Sequence, residues 1–308
     1  MTPIESSPSP ARAWLSAARP RTLALAVAGI ALGLFLAAAR SELRWLPAVL
    51  ALVTALLLQI LSNLANDYGD SLHGADSTER RGPLRAVQSG AITAEDMRRA
   101  MALVAVLAMI SGLGLVWSAF GARAIWLVLL FIVLGAAAVW AAIAYTASSN
   151  PYGYRGLGDL FVFVFFGLAA VAGTYFLQTL SLPAVVLLPA TSCGLFAVAV
   201  LNVNNIRDIE SDRRAGKMSI PVRLGPRRAR IYHWLLLLGG LGAALLYVLL
   251  SYRSPWQFLF LLAAPLVIGN GIAVWRAQRS EDLDPYLKQM SLTTLVFVLT
   301  FGVGQVLG

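Results

Sequence analysis

The sequence has one cysteine, Cys193, and two histidines, His73 and His233. A lone cysteine excludes an intrachain disulfide and a cysteine-only metal site, and two histidines are too few for a histidine-built one. Charge is scarce too: 13% of the 308 residues are charged, against 58% hydrophobic. That is too little polar surface for an ordinary soluble domain, and it places the chain in a lipid bilayer. Acidic residues are the rarer sign, 15 against 24 Lys and Arg, for a net charge of +9. The basic residues lie in short segments between apolar runs and form no continuous face, which argues against nucleic acid as a partner.

What is present is a series of long apolar runs. Residues 1–13, rich in Ser and Pro, read as a disordered tail, and 14–308 as one transmembrane domain. The run after Arg19-Pro20-Arg21 is too long for a signal peptide and reads as an uncleaved first span. At about 20 apolar residues per span, nine helices are expected, over 22–39, 45–66, 100–119, 124–146, 160–180, 183–204, 231–251, 255–275 and 289–307. Ser181-Leu182-Pro183 is the expected hinge in an uncharged stretch too long for one span. Small residues four apart, Gly29 with Gly33 and Gly239 with Ala243, are expected at helix contacts. Thr93 with Asp96 reads as a capping box, and Asp284-Pro285 as a cap with a first-turn proline. The fold class is therefore all-α, a polytopic membrane helical bundle. With the N-terminus in the cytoplasm, only Arg40, Arg44, Arg123 and Arg253 of the 24 basic residues fall outside, which fixes the orientation and puts the C-terminus outside.

Two of the runs end in clusters of amides and carboxylates. The first is Ser62-Asn63-Leu64-Ala65-Asn66-Asp67-Tyr68-Gly69-Asp70, and the second is Asn202-Val203-Asn204-Asn205-Ile206-Arg207-Asp208-Ile209-Glu210-Ser211-Asp212. A carboxylate at a bilayer centre costs about 2.5 to 3.5 kcal/mol on insertion scales, so acids at a membrane helix mouth point to function. If helix persists, Asn63 with Asp67, Asp67 with Asp70, Asn204 with Asp208 and Asp208 with Asp212 share faces. Magnesium, Mg²⁺, binds through a few carboxylates plus substrate phosphates, so two such mouths facing each other suit a diphosphate held through bridging metal. Each is followed by a basic loop with Pro-x-Arg, at Pro83 to Arg85 and Pro221 to Arg223, a faint internal repeat. Arg80, Arg81, Arg85, Lys217 and Arg223 on those loops are candidates to grip phosphate. Glu79, Glu95, Asp96, Glu281, Asp282 and Asp284 read as solvated charges or caps. Aromatics such as Tyr145, Phe161, Phe163, Phe165, Phe166 and Tyr175 are candidates to line an apolar tunnel. An ion-coupled transporter also suits many spans and intramembrane acids, although its acids belong at the midplane. An alcohol phosphotransferase would need an Asp-Gly-x-x-Ala-Arg continuation that does not follow Asp70.

The motifs Asn66-Asp67-Tyr68-Gly69-Asp70, Gly82-Pro83-Leu84-Arg85 and Asn204-Asn205-Ile206-Arg207-Asp208 through Asp212 resemble the UbiA superfamily of membrane prenyltransferases. Pro151-Tyr152-Gly153-Tyr154-Arg155-Gly156-Leu157-Gly158-Asp159 and 216–225 are similar to its 1,4-dihydroxy-2-naphthoate polyprenyltransferase branch, which serves menaquinone synthesis. One departure is that Asp76 lies six residues after Asp70, where many members place a third Asp at four. The resemblance implies helices around a central cavity with cytoplasmic cap loops, in a cell inner membrane. It implies Mg²⁺-dependent transfer of a chain from polyprenyl diphosphate to 1,4-dihydroxy-2-naphthoate with decarboxylation, giving a demethylmenaquinone. A 4-hydroxybenzoate or homogentisate acceptor is the alternative within the superfamily. The residues it singles out are Asp67, Asp70, Asp208 and Asp212 for catalysis and metal, with Asn63, Asn66, Arg85, Tyr145, Arg155, Asn204, Asn205 and Lys217 at the substrates.

Overall fold

A computed structural model describes residues 9–72, 85–121 and 124–308, apart from the side chain of Arg21. His73, Asp76, Glu79, Arg80, Arg81, the 82–84 motif and Arg123 therefore lie outside the described residues. The described chain is helical throughout, with no strand among those residues. Its elements are α1 Pro10–Ala18, α2 Pro20–Ala38, α3 Trp45–Leu72, α4 Ala94–Phe120, α5 Ile125–Ala144, α6 Gly158–Val162, α7 Thr174–Thr179, α8 Leu187–Arg207, α9 Ile209–Arg214, α10 Ile220–Leu250, α11 Ala264–Arg276 and α12 Asp284–Leu307. Eight helical runs are long and apolar enough to cross a membrane, and α1 with α2, bent by 47°, make the ninth. Large apolar side chains such as Trp126, Val133 and Leu235 stay exposed, as a lipid-facing surface requires.

Several boundaries differ from expectation, each for a physical reason. The first helix opens with Pro10 in its first turn and buries Ala13 and Ala17, so the expected 1–13 tail is helical from residue 10. Helix α3 continues past 66 to Leu72 and carries Asp67 and Asp70 on its buried side. Residues 207–230, between the expected spans 183–204 and 231–251, are largely helical, made of α9 and the start of α10. Helix α10 is kinked at Gly225, whose φ of 77° and ψ of 166° are not helical and which precedes Pro226. Proline removes an N–H and pushes its predecessor out of the helical region, and glycine tolerates the positive φ. The span over Gly158–Thr179 is π-helical from Phe163 to Gly173, a local geometry that apolar content does not reveal. Thr93 caps α4 as expected, its hydroxyl accepting from the Asp96 N–H at 3.1 Å. Asp284 begins α12 but pairs with Arg207 at 2.5 Å.

The bundle is held by two main apolar clusters. One gathers Phe196 of α8, Leu237 of α10, Phe260, and Phe297 and Phe301 of α12, with Phe196 and Phe297 edge to face at 4.8 Å. The other ties α1, α3 and α4 through Ala13, Leu61, Leu64, Met97 and Met101. The first acidic mouth thus stands on the second cluster, and the second mouth stands on a smaller one of Val203, Ile206, Ile209, Ala229, Val274 and Leu283. Glycine lets α2 approach the π-helical stretch closely: a Cβ on Gly33 of α2 would lie 2.6 Å from the Val171 carbonyl oxygen. Gly29 is as tight against Phe166 and Ala170, so this pair packs as its spacing predicts.

Candidate active site

At the first mouth each acid already has protein partners. Both oxygens of buried Asp67 accept main-chain N–H groups, from Ala86 and Val87, each at 3.0 Å. Asp70 is ion-paired with buried Arg85 and accepts the Tyr154 hydroxyl at 3.0 Å. Arg85 also donates to the Asn66 carbonyl at 2.7 Å, so the chain after the 73–84 segment is strapped back onto α3. The Asn66 side-chain oxygen accepts from Thr146 at 2.9 Å. Gly69 makes this contact possible, because a Cβ there would lie 2.4 Å from the Thr146 carbonyl carbon.

The second mouth is built on a break. Helix α8 stops at Arg207, Asp208 takes a φ of −97°, and α9 restarts at Ile209. The Arg207 guanidinium closes on Asp208 at 2.7 and 2.8 Å, on Asn204 at 2.8 Å and on Asp284 at 2.5 Å. Asp212, one turn further, faces the Lys217 ammonium at 3.3 Å through one oxygen, while its other oxygen is buried without a partner. The side-chain oxygen of buried Asn205 is likewise unpartnered.

Lys217 pairs with the second mouth through Asp212 and lies within electrostatic reach of Asp70 of the first. Burial lowers its ammonium, and Asp212, Tyr145, Asp70 and Asp208 together overcome that and hold it above the ordinary lysine value, so it stays charged. Asp212 is pushed upward, by burial first and by Asp208 and Asp70 after it, against the pull of Lys217. Burial, then Asp70, raises the Tyr154 hydroxyl, which remains a donor. A backbone bond from the Met218 N–H to the Tyr154 carbonyl, 2.8 Å, ties this loop to the 152–155 turn. Gly156 at φ 77° completes that turn, and a Cβ there would lie 2.6 Å from the Met218 oxygen.

The expected site residues thus divide. Asp70, Asp208, Asp212, Lys217 and Tyr145 surround one region, with Arg85 attached through Asp70. Asn63 stands apart from it: its amide donates to the Ala18 carbonyl and the Thr22 hydroxyl, both at 2.8 Å, and pins the α1–α2 junction to α3. Asn204 orients Arg207. The Arg155 side chain is exposed, and its carbonyl receives Arg223 at 2.7 Å. Glu95 and Asp96 are exposed partners of Arg99, as solvated charges should be. Among the aromatics, Tyr152 stacks on Phe161 at 3.9 Å and meets Tyr145 at 5.3 Å, with Phe165 next along at 6.1 Å from Phe161. Phe163 instead packs on Gly194, and Tyr175 lies near Arg40, at the far end of α2. Tyr154, Thr146 and Arg207, and the Tyr232 hydroxyl donating to buried Asp159 at 2.9 Å, are structural partners that residue type and spacing alone did not single out.

No three His, Cys, Asp or Glu side chains among the described residues form a ready-made cage for a cation. The available donors are carboxylate and amide oxygens, with one on Asp212 and one on Asn205 buried and unfilled. Such a set fits a hard divalent ion that completes its shell with water and substrate phosphate.

The chain is similar to several known proteins. A protein of Escherichia coli named 1,4-dihydroxy-2-naphthoate octaprenyltransferase is 48% identical to this chain, over 98% of each. A Mycobacterium tuberculosis protein of the same name is 39% identical over 93% of this chain and 94% of its own. Among solved structures, a UbiA homolog from Aeropyrum pernix superposes with a TM-score of 0.66 at 16% identity, over 91% of this chain and 97% of that one. One from Archaeoglobus fulgidus, bound to DMAPP and Mg²⁺, gives 0.63 at 17% identity over 94% and 99%. The sequence profile of the UbiA prenyltransferase family matches residues 24–301, and the chain belongs to that family.

Proposed function

We propose that this chain transfers a polyprenyl group from its diphosphate to 1,4-dihydroxy-2-naphthoate, with loss of the carboxyl group as carbon dioxide. The observation that carries the reading is the gathering of Asp70, Asp208 and Asp212 around one half-buried lysine, in a chain whose relatives are named for prenyl transfer to this naphthoate. Asp212 and Asn205, with Asp67, Asp70 and Asp208, would hold Mg²⁺ together with the diphosphate oxygens. When bound, the metal supplies positive charge that stabilises the departing diphosphate. Lys217 and Arg85 add fixed cationic charge on the same group, and Tyr154 orients Asp70 through the hydrogen bond it donates to that carboxylate. The row of Tyr145, Tyr152, Phe161 and Phe165 offers an apolar wall for the prenyl chain and electron-rich faces for the allylic cation. The bond from the allylic carbon to oxygen breaks and its electron pair leaves with diphosphate. The naphthoate ring carbon bearing the carboxylate then forms the new carbon–carbon bond. Loss of carbon dioxide returns an electron pair to the ring and restores its aromaticity, giving the reduced form of a demethylmenaquinone.

The test uses purified protein, Mg²⁺, a polyprenyl diphosphate and carboxyl-labelled 1,4-dihydroxy-2-naphthoate. One labelled carbon dioxide per prenylated product is expected. Prenylation with the label retained, or of 4-hydroxybenzoate or homogentisate in place of naphthoate, would leave the family standing and remove this acceptor. The acidic mouths are proposed to face the cytoplasm of a cell inner membrane, an orientation that the arginine asymmetry supports. In a Cys193→Ser background, Ser89→Cys should then react with impermeant reagent only from the cytoplasmic side and Ser41→Cys only from outside.

A further inference from the structure

The end of the bundle away from the aspartates holds a second cluster of cations and amides that prenyl transfer does not use. Helix α2 starts beside Asn63 and ends near Arg40, α10 starts beyond Lys217 and ends at Leu250, and α12 runs from Asp284 to Leu307. Where these ends converge, Arg40, Tyr175, Tyr247, Arg253, Gln257 and Gln305 line a partly enclosed cavity of about 90 Å³. Tyr175, Gln257 and Gln305 are at least 96% buried.

The hydrogen bonds in this cluster leave two lining donors over, the Tyr175 hydroxyl and the Gln305 amide. Gln257 accepts the Arg253 main-chain N–H at 2.5 Å, which fixes its oxygen, and its amide donates to the Ser251 carbonyl at 3.2 Å and to the Gln305 oxygen at 2.7 Å. Gln305 is thereby oriented with its NH₂ group remaining, and that buried nitrogen has no protein partner. A buried donor in a native structure calls for an acceptor that the protein itself does not supply. The charge around the cavity has the same sense. Glu42 is the one acidic residue in the loops at this end, exposed and 3.3 Å from Arg40. Arg44 is held by the Ala119 and Leu177 carbonyls, which leaves Arg40 and Arg253 to set the charge of the cavity wall.

We propose that this cavity binds a phosphate group, with Arg40 and Arg253 as its charge partners and the Gln305 amide as a hydrogen-bond donor. Guanidinium groups suit phosphate oxygens, and the volume suits one such group. The phosphate belongs either to an anionic phospholipid headgroup in the leaflet at this end or to a free anion, and the two are separable.

The experiment follows thermal unfolding of the full-length protein in a neutral detergent with EDTA, titrating inorganic phosphate in one series and phosphatidylglycerol in another. Stabilisation by at least 3 °C in one series is expected, lost in Arg40→Gln/Arg253→Gln and kept in Lys217→Gln. A response to phosphate identifies a free-anion site, and a response to phosphatidylglycerol alone identifies the headgroup. Prenyl transfer by the double variant, expected at the wild-type rate, reports that it is folded. If it does not fold, Gln305→Met decides, with an apparent affinity weakened at least threefold expected. No response in either series, or one unchanged in the variant read, overturns the proposal.

Discussion

At the first acidic mouth Asp67 and Asp70 ride an unbroken helix, and main-chain N–H groups, Arg85 and Tyr154 already fill their oxygens. At the second, the helix breaks at Asp208, Arg207 clamps that carboxylate, and Asp212 keeps one buried oxygen unfilled. Similar side chains therefore do different work. The first mouth's charge holds the following segment of chain in place, and the second leaves one buried carboxylate oxygen without a protein partner. A buried carboxylate with an empty lone pair is costly in the free protein, and that cost is relieved when a cation arrives.

Four substitutions test whether the two mouths differ in this way. The largest effect is expected for Asp212→Asn, with turnover falling on the order of 10²–10³-fold as charge opposite the diphosphate is lost. Its signature is a weaker stabilisation of the protein by Mg²⁺ plus pyrophosphate, and turnover above a tenth of wild type would remove Asp212 from the site. Asp67→Asn should also lower turnover, but with a second symptom. An amide NH₂ would face one of two main-chain donors, leaving a buried N–H unsatisfied at about 1–3 kcal/mol. Its melting temperature should therefore drop even without metal or substrate, and a wild-type value would show that the 85–87 segment does not depend on that carboxylate. Gly69→Ala is next, because a methyl 2.4 Å from the Thr146 carbonyl carbon forces α3 and residue 146 apart, costing roughly 1–3 kcal/mol. Urea unfolding of the detergent-solubilised protein would measure it. The smallest effect belongs to Asp284→Asn, whose carboxylate is 46% exposed. Arg207 retains Asp208 and Asn204, so turnover should change less than about threefold.

The spans were legible in the sequence because bilayer thickness fixes helix length and lipid fixes composition. The helix interiors were not. The π-helical stretch from Phe163 and the lead-in 3₁₀ turns over Pro255–Ala263 are as apolar as regular helix. Four acids could be read as functional from their cost in a membrane, but their partners could not. Asp67 is held by main-chain N–H groups 19 and 20 residues away, which leave no mark in residue identity. Asp284 lies 77 residues from Arg207 and carries the sequence signature of a helix cap. Asn63 looked like a ligand because it shares a helix face with Asp67, and it is held instead by the α1–α2 junction, whose position the spacing does not encode.

Tyr154 bears on how the protein is made. Its hydroxyl reaches Asp70, 84 residues earlier, and its carbonyl receives Met218, far later in the chain. During insertion the ribosome delivers the Asp67–Asp70 mouth first, and Tyr154 can dock on it once the fifth span begins. Lys217 and Asp212 arrive only after α8 has been threaded. A nascent chain stopped before residue 208 thus carries one half of the acids and lacks Lys217, with no cationic side chain to meet a diphosphate from the other side. Competence to bind substrate should appear late and abruptly during synthesis, as a checkpoint on completion of the bundle.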